Sequence, residues 1–260
     1  MKIPLYLVDA FTVQPFRGNT AAVCLLQSSR SDEWMQAVAE EMDFSETAFL
    51  VPHGHDYRLR WFTPTVEVDL CGHATLASAH VLYEFGYYEP DEEIKFTTKS
   101  GVITASFQKG TIELDMPRRE PVAIESTPEI EAAVGLKPVS VAAYEDKVLL
   151  VELADREQVE NFQPDFKLIS ALPYEGVLLT AACADGPTDF VSRFFSPRTG
   201  INEDPVTGMA HCVLGPYWEK KLGKSRFKAY QASKRGGEVQ VRTAPDRIYI
   251  GGKAVTVVAG

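Results

Sequence analysis

The chain has 260 residues, of which 45% are hydrophobic and 24% charged, and its formal net charge is −10 with a pI near 5.1. This composition is typical of a globular protein that can bury a substantial core, as one large domain or two small ones. The acidic balance argues against nucleic acid or an anionic membrane as a partner, because the long-range field would repel phosphate.

The N-terminal residues and the cysteines narrow the protein class further. Residues 1–9 reach Asp9 before any long apolar run, so we expect neither a signal peptide nor a membrane span and place the protein in the cytoplasm. The four cysteines show no CxxC or Cys/His ligand spacing. We therefore expect reduced thiols and no bound metal.

Short β-rich runs dominate the chain and predict an α+β protein. The predicted strands cover residues 5–8, 21–25, 48–51, 57–62, 94–98, 101–107, 111–115, 148–151, 177–181, 190–194, 238–242 and 247–250. Residues 31–41 predict an amphipathic helix with Trp34, Val38 and Met42 on its apolar face, and residues 128–134 predict a short helix.

Two further predicted helices, residues 73–85 and 206–221, are small and apolar nearly all round in their first turns. Helices of this kind must be enclosed by other structure. Gly86 and Gly223 follow them as C-terminal stop signals. Each half of the chain is thus predicted to wrap a sheet around one buried helix.

One pattern is written twice, 133 positions apart from residue 61 to residue 194. In each copy an aromatic residue, a hydroxyl residue and a proline precede a polar side chain by seven positions, Cys71 in the first copy and Asp204 in the second. We expect two similar halves, residues 1–118 and 119–260, with the last strand able to cross back. Such halves usually meet face to face, which predicts an active site in the cleft between them.

The starts of the two apolar helices are candidate seats for a carboxylate, because a helix N-terminus presents unpaired N–H groups and a partial positive charge. The predicted substrate contacts are Cys71, Gly72, Ala74, Thr75, Thr207, Gly208 and Met209. An equally acceptable interpretation is that the glycines only allow tight helix–sheet packing.

Four side chains near these helices are candidates for chemistry, and each has a structural alternative. Asp204 followed by Pro205 is typical of an ordinary helix cap. Cys71 is either a thiol whose pKa the helix end lowers or a small buried hydrophobe. His73 can exchange a proton near neutral pH, although a lone histidine is more often structural. Burial of Glu46 between apolar residues would raise its pKa towards neutrality, unless neighbouring N–H groups satisfy the carboxylate.

Taken together, seven blocks of the sequence resemble the PhzF-like family of phenazine biosynthesis, in the family's order across nearly the whole chain. The blocks are Asp9-Ala10-Phe11, Gly18-Asn19, Phe44-Ser45-Glu46-Thr47, Phe62-Thr63-Pro64, Gly72-His73-Ala74-Thr75, Phe195-Ser196-Pro197 and Glu203-Asp204-Pro205-Val206-Thr207-Gly208. The resemblance implies a diaminopimelate-epimerase-like fold with two similar halves, each a mixed sheet around a central helix.

The resemblance also implies a cofactor-free isomerase that moves a proton within a small cyclic or unsaturated carboxylate, such as a dihydro-hydroxyanthranilate-like compound. Glu46 would be the acid/base, supported by His73 and Asp204, and the protein would be a homodimer. No nicotinamide, flavin or ATP is expected, because no glycine loop has GxGxxG spacing.

Two departures from related sequences bear on the substrate. Epimerases of this fold use two opposed cysteines, whereas this chain has Cys71 and Asp204, which argues against a two-thiol racemisation. The phenazine enzyme has serine where Met209 stands, which implies a more apolar or differently shaped ligand. The alternatives are an amino-acid or hydroxy-acid racemase that uses Cys71, and a non-catalytic protein that binds small acids.

Overall fold

The computed structural model describes residues 3–260 and has the predicted α+β composition. The chain forms two compact units, the first comprising the chain up to Met116 together with Tyr249–Gly260, the second Pro117–Ile248. Within residues 3–260, no helix is both long and apolar enough to cross a membrane.

The first unit contains more than half of the described strands and two of the helices. Its elements are β1 (Leu5–Ala10), β2 (Asn19–Leu25), α1 (Asp32–Met42), β3 (Glu46–His53), β4 (Asp56–Phe62), β5 (Glu67–Val68), α2 (Gly72–Glu84), β6 (Ile94–Thr98), β7 (Gly101–Gln108) and β8 (Thr111–Pro117). The last strands of the chain, β17 (Arg247–Gly252) and β18 (Ala254–Ala259), follow the second unit in sequence, and β18 pairs with β1.

The second unit has more and shorter helices. Its elements are β9 (Val122–Ile124), α3 (Pro128–Val134), β10 (Ser140–Tyr144), β11 (Val148–Glu152), α4 (Arg156–Glu160), α5 (Phe166–Ala171), β12 (Gly176–Ala182), β13 (Phe190–Ser196), a 3₁₀ turn (Pro197–Thr199), β14 (Ile201–Asp204), α6 (Gly208–Leu222), β15 (Arg226–Gln231) and β16 (Gly237–Thr243).

Strand pairing follows the same order in both units. In the first, β1–β2 is antiparallel, β2–β3 parallel, β3–β4 antiparallel, β4–β6 parallel and β6–β7 antiparallel. In the second, β10–β11, β11–β12, β12–β13, β13–β15 and β15–β16 repeat this sequence of directions. The repeated motif of the sequence therefore lies at the end of corresponding strands, β4 and β13.

Helices α2 and α6 are buried along most of their length, as their apolar sequences predict. Close packing explains one glycine of α6, since a Cβ on Gly215 would lie 2.3 Å from Cδ1 of Ile248. The predicted start of α6 at residue 206 is two residues early, because Gly208 begins the helix. Helix α1 packs through Met35 and Ala39, with Trp34 and Val38 flanking this buried face.

Candidate functional site

Strand β3 and helix α2 bring three predicted residues together in the first unit. Glu46 is the first residue of β3, which begins two residues before the predicted strand 48–51, and Cys71 and His73 lie at the start of α2. Oε2 of Glu46 lies 3.3 Å from Nε2 of His73, and Sγ of Cys71 lies 3.5 Å from Nδ1 of the same ring. The imidazole thus joins the thiol to the carboxylate.

Burial determines the protonation state of this imidazole. The His73 side chain is 4% exposed, and its desolvation lowers the pKa from 6.5 to about 3. His73 is therefore neutral near pH 7, so its 3.3 Å contact with Glu46 is not an ion pair at that pH. The tautomer with its proton on Nε2 lets the Cys71 thiol donate to Nδ1, while Nε2–H lies 3.3 Å from both the hydroxyl oxygen of Ser45 and the carboxylate of Glu46.

A polar chain holds this cluster from the side of β2. The hydroxyl of Ser45 lies 3.3 Å from Nε2 of His73 and donates to Oδ1 of Asn19 at 3.2 Å. Asn19 is 2% exposed and begins β2, which pairs in parallel with β3. These two residues occur in the family motifs of the sequence but were not predicted as site residues.

Glu46 is less enclosed than its partners, since its side chain is 14% exposed. A ligand can therefore reach the carboxylate, whereas His73 is accessible mainly through its neighbours. The remaining predicted residues of this unit, Gly72, Ala74 and Thr75, are buried in the first turn of α2. Thr75 donates its hydroxyl to the carbonyl of Cys71, so this side chain is engaged within the helix.

The starts of α2 and α6 differ from the other helix starts in how they are capped. Side chains cap the four other α-helices: Ser31 for α1, Thr127 for α3, Asp155 for α4 and Asp165 for α5. Within the described part of the chain, no side chain caps α2 or α6. Their first N–H groups thus have no capping oxygen from a side chain, which is the arrangement that an anion can complete.

The start of α6 is built around Asp204, Thr207 and a residue that the sequence did not reveal. Thr207 donates its hydroxyl to Oδ2 of Asp204 at 2.5 Å. Gln231 of β15 is fully buried, accepts from the N–H of Thr207 at 2.9 Å, and donates to the carbonyl of Asp204 at 2.8 Å and the hydroxyl of Thr207 at 3.1 Å. The amide of Gln231 therefore holds the backbone at both Asp204 and Thr207, the two ends of the segment between β14 and α6.

The structure corrects two interpretations of Asp204. It does not cap α6, because it ends β14 and Thr207 occupies the cap position. It also does not correspond to Cys71. Asp204 pairs with Phe194 as Val68 pairs with Trp61, and the cap residues Thr207 and Cys71 each follow three positions later.

The other residues around α6 have structural partners. Glu203 forms a bidentate ion pair with Arg193 at 2.7 and 2.9 Å. Gly208 is buried and Met209 half-buried. Nδ1 of His211 lies 2.8 Å from the carbonyl of Thr207, and burial lowers the pKa of His211 to about 4. His211 thus bonds the cap carbonyl from the position that Thr75 occupies in α2.

Comparisons with known proteins agree with this description. A family model described as phenazine biosynthesis-like protein (PhzC-PhzF) matches residues 8–260. A protein from Halalkalibacterium halodurans, named as an uncharacterised isomerase, is 49% identical over 258 residues, which are 99% of this chain and 97% of the relative.

Solved structures extend the likeness to the fold. A phenazine biosynthesis protein of the PhzF family from Enterococcus faecalis is 43% identical, with a TM-score of 0.94 and coverage of 100% of this chain and 98% of that chain. A hydroxyproline epimerase from Agrobacterium vitis is 12% identical, with a TM-score of 0.65 and coverage of 99% and 91%, and it shares the fold alone. The predicted epimerase-like fold is therefore confirmed.

Proposed function

Because the chain belongs to the phenazine biosynthesis-like family, in which its relatives are named isomerases, we propose that it is an isomerase in which Glu46 transfers a proton within a small carboxylate. The observation that carries this proposal is the 3.3 Å contact between the part-exposed carboxylate of Glu46 and the buried, neutral imidazole of His73.

The proposed reaction needs one group that takes a proton and returns it. The Glu46 carboxylate removes a proton from a substrate carbon as the double bond shifts, and the carboxylic acid so formed delivers the proton to another carbon of the same molecule. His73 keeps Glu46 oriented through Nε2–H, since a neutral imidazole can donate without itself competing for the proton. Asp204 has a supporting role, holding Thr207 at the start of α6.

The substrate carboxylate is proposed to bind at an uncapped helix start. The first turns of α2 and α6 each offer N–H groups from Gly72 or Gly208 onward, where glycine lets a ligand approach the backbone. Met209 lies half-buried in the first turn of α6. Its thioether favours an apolar substrate surface over the polar contact that a serine would provide.

A second candidate function follows from the contact between Cys71 and His73. A thiol 3.5 Å from a ring nitrogen has the arrangement of an activated base, so a racemase that uses Cys71 is the alternative. Burial argues against it, because Cys71 is 5% exposed and the accessible group of the cluster is Glu46.

The test is hydrogen–deuterium exchange at substrate carbons, followed by NMR in D₂O over a panel of cyclic and amino carboxylates. We expect exchange with at least one panel member for the native chain and its loss by at least about a hundred-fold in Glu46→Gln, since general acid–base groups contribute about 10² to 10⁴ in rate. Exchange that continues in a folded Glu46→Gln would exclude this role. Binding of panel members without exchange would favour a small-acid binding protein.

A further inference from the structure

The cluster at the start of α2 contains three different kinds of metal ligand. Glu46 offers a carboxylate oxygen, Cys71 a sulfur and His73 a ring nitrogen, and one ligand atom from each lies within 4.8 Å of the other two. Spacing in the sequence does not reveal this set, because Glu46 precedes the other two by 25 and 27 positions and comes from a different element.

The donor types select a class of ion. A mixed sulfur, nitrogen and oxygen set suits Zn²⁺ and Co²⁺, whereas Mg²⁺ and Ca²⁺ are bound almost entirely by oxygen. Three protein ligands leave a fourth tetrahedral position for water. The set is accessible through Glu46, whose side chain is 14% exposed.

The distances within the cluster can be compared with those around a tetrahedral ion. Ligands around zinc are separated by about 3.3 to 3.8 Å, given bonds of about 2.0 to 2.3 Å. Glu46 lies 3.3 Å from His73, and Cys71 lies 3.5 Å from it. These two contacts end on opposite ring nitrogens. A single ion would bind one nitrogen, and the ligand beside the other nitrogen would have to move closer to the ion.

We propose that Glu46, Cys71 and His73 form a reversible binding site for Zn²⁺ or a similar borderline ion, and that a bound ion blocks proton transfer. On binding, the Cys71 thiol gives its proton to solvent and the thiolate ligates the ion, so no oxidant or reductant is needed. The ion occupies a lone pair of Glu46 that would otherwise accept the substrate proton. Only the blocking of the reaction depends on the proposed function; the binding itself does not.

Titration with Co²⁺ tests the binding, because a thiolate ligand gives cobalt a charge-transfer absorption in the near ultraviolet. We expect a saturable band with an equimolar end point that excess Mg²⁺ does not change. Cys71→Ser should abolish the band, whereas Cys183→Ser, which removes a part-exposed thiol outside the cluster, should retain it. Glu46→Gln should weaken binding by at least about ten-fold, the lower end of what even indirect partners contribute.

Absence of a saturable band at millimolar Co²⁺, or a band that survives Cys71→Ser, would overturn the site. Inhibition is tested separately, by adding Zn²⁺ and then a chelator to the exchange assay, with reversible loss of exchange expected. Binding without inhibition would overturn the proposal that a bound ion blocks proton transfer, whereas the proposed metal site itself would stand. Loss of exchange in Glu46→Gln without added metal would support the proton-transfer function whatever the cobalt result.

Discussion

The starts of α2 and α6 lie at corresponding places in their units, yet they carry different chemistry. In each unit the cap residue follows by three positions the strand residue that pairs with the aromatic of the repeated motif. At α2 the side chains are a thiol, an imidazole and a carboxylate in contact. At α6 the amide of Gln231 and the hydroxyl of Thr207 form hydrogen bonds with the backbone and the carboxylate of Asp204.

This difference shows that two units with the same strand pairing can carry different side-chain chemistry at corresponding helix starts. Both helix starts are free of a side-chain cap in the described structure, so both retain the property that suits an anion. Only the start of α2 adds two titratable side chains, Glu46 and Cys71, that both contact one imidazole ring, that of His73. We infer that the first unit supplies the proton transfer and that the second holds the start of α6 through a hydrogen-bonded frame of Asp204, Thr207 and Gln231.

The largest effect that separates the two regions is expected from their histidines. His73→Phe removes the partner of Glu46 and should slow exchange about a hundred-fold, the lower end of general acid–base contributions. His211→Phe should leave the exchange rate within about three-fold of the native rate, because His211 bonds the carbonyl of Thr207 and lies outside the Glu46 cluster. A three-fold change corresponds to less than about 1 kcal/mol of barrier. Exchange rates of both variants in D₂O check this, and His73→Gln, which retains an N–H donor, should recover part of the rate. Equal losses of exchange rate in the two Phe variants would contradict the functional difference between the two helix starts.

The frame around α6 is expected to contribute to stability through Gln231. Gln231→Leu leaves the N–H of Thr207 and the carbonyl of Asp204 buried without this partner, which should lower the free energy of unfolding by about 3 kcal/mol. The matched control is Gln240→Leu, because Gln240 is exposed on β16. Urea unfolding measures both, and similar midpoints for the two variants would contradict the role of Gln231.

The effect that is smallest per pH unit concerns the pH dependence of stability. The pKa of His211 is about 4 in the folded chain and about 6.5 when unfolded, so between these values the unfolded chain binds a proton that the folded chain does not. Stability therefore falls as pH decreases, by up to about 1.4 kcal/mol per pH unit from this group. His211→Phe should remove that part of the slope in unfolding measured from pH 7 to pH 4.

The control for this slope is His53→Gln, since His53 is exposed. The His53→Gln slope should equal that of the native chain. A His211→Phe variant with an unchanged slope would mean that His211 is not held neutral by burial.

The sequence predicted the fold best where hydrophobic pattern and burial agree. Strands and buried helices with continuous apolar runs were found, and the resemblance to the family is confirmed. β15 was missed although its buried residues alternate, because Phe227 and Ala229 stand between charged or polar residues and Gln231 completes the buried face. Helices α4 and α5 were missed because, with five and six residues, they are too short to show helical periodicity.

The site was only partly predictable for a different reason. The residue types at Glu46, Cys71 and His73 suggested chemistry, but only tertiary contacts join positions from β3 and α2. Asp204 followed by Pro205 has the local pattern of a helix cap, which strand pairing with Phe194 overrides. A buried amide such as Gln231 has no pattern of its own in a single sequence.

The most direct measurement is hydrogen–deuterium exchange at the substrate carbon for Glu46→Gln and Cys71→Ser side by side, each checked for native folding. Proton transfer by Glu46 predicts that exchange is lost in Glu46→Gln and largely survives in Cys71→Ser. Survival in Glu46→Gln with loss in Cys71→Ser would contradict it and assign the reaction to the thiol.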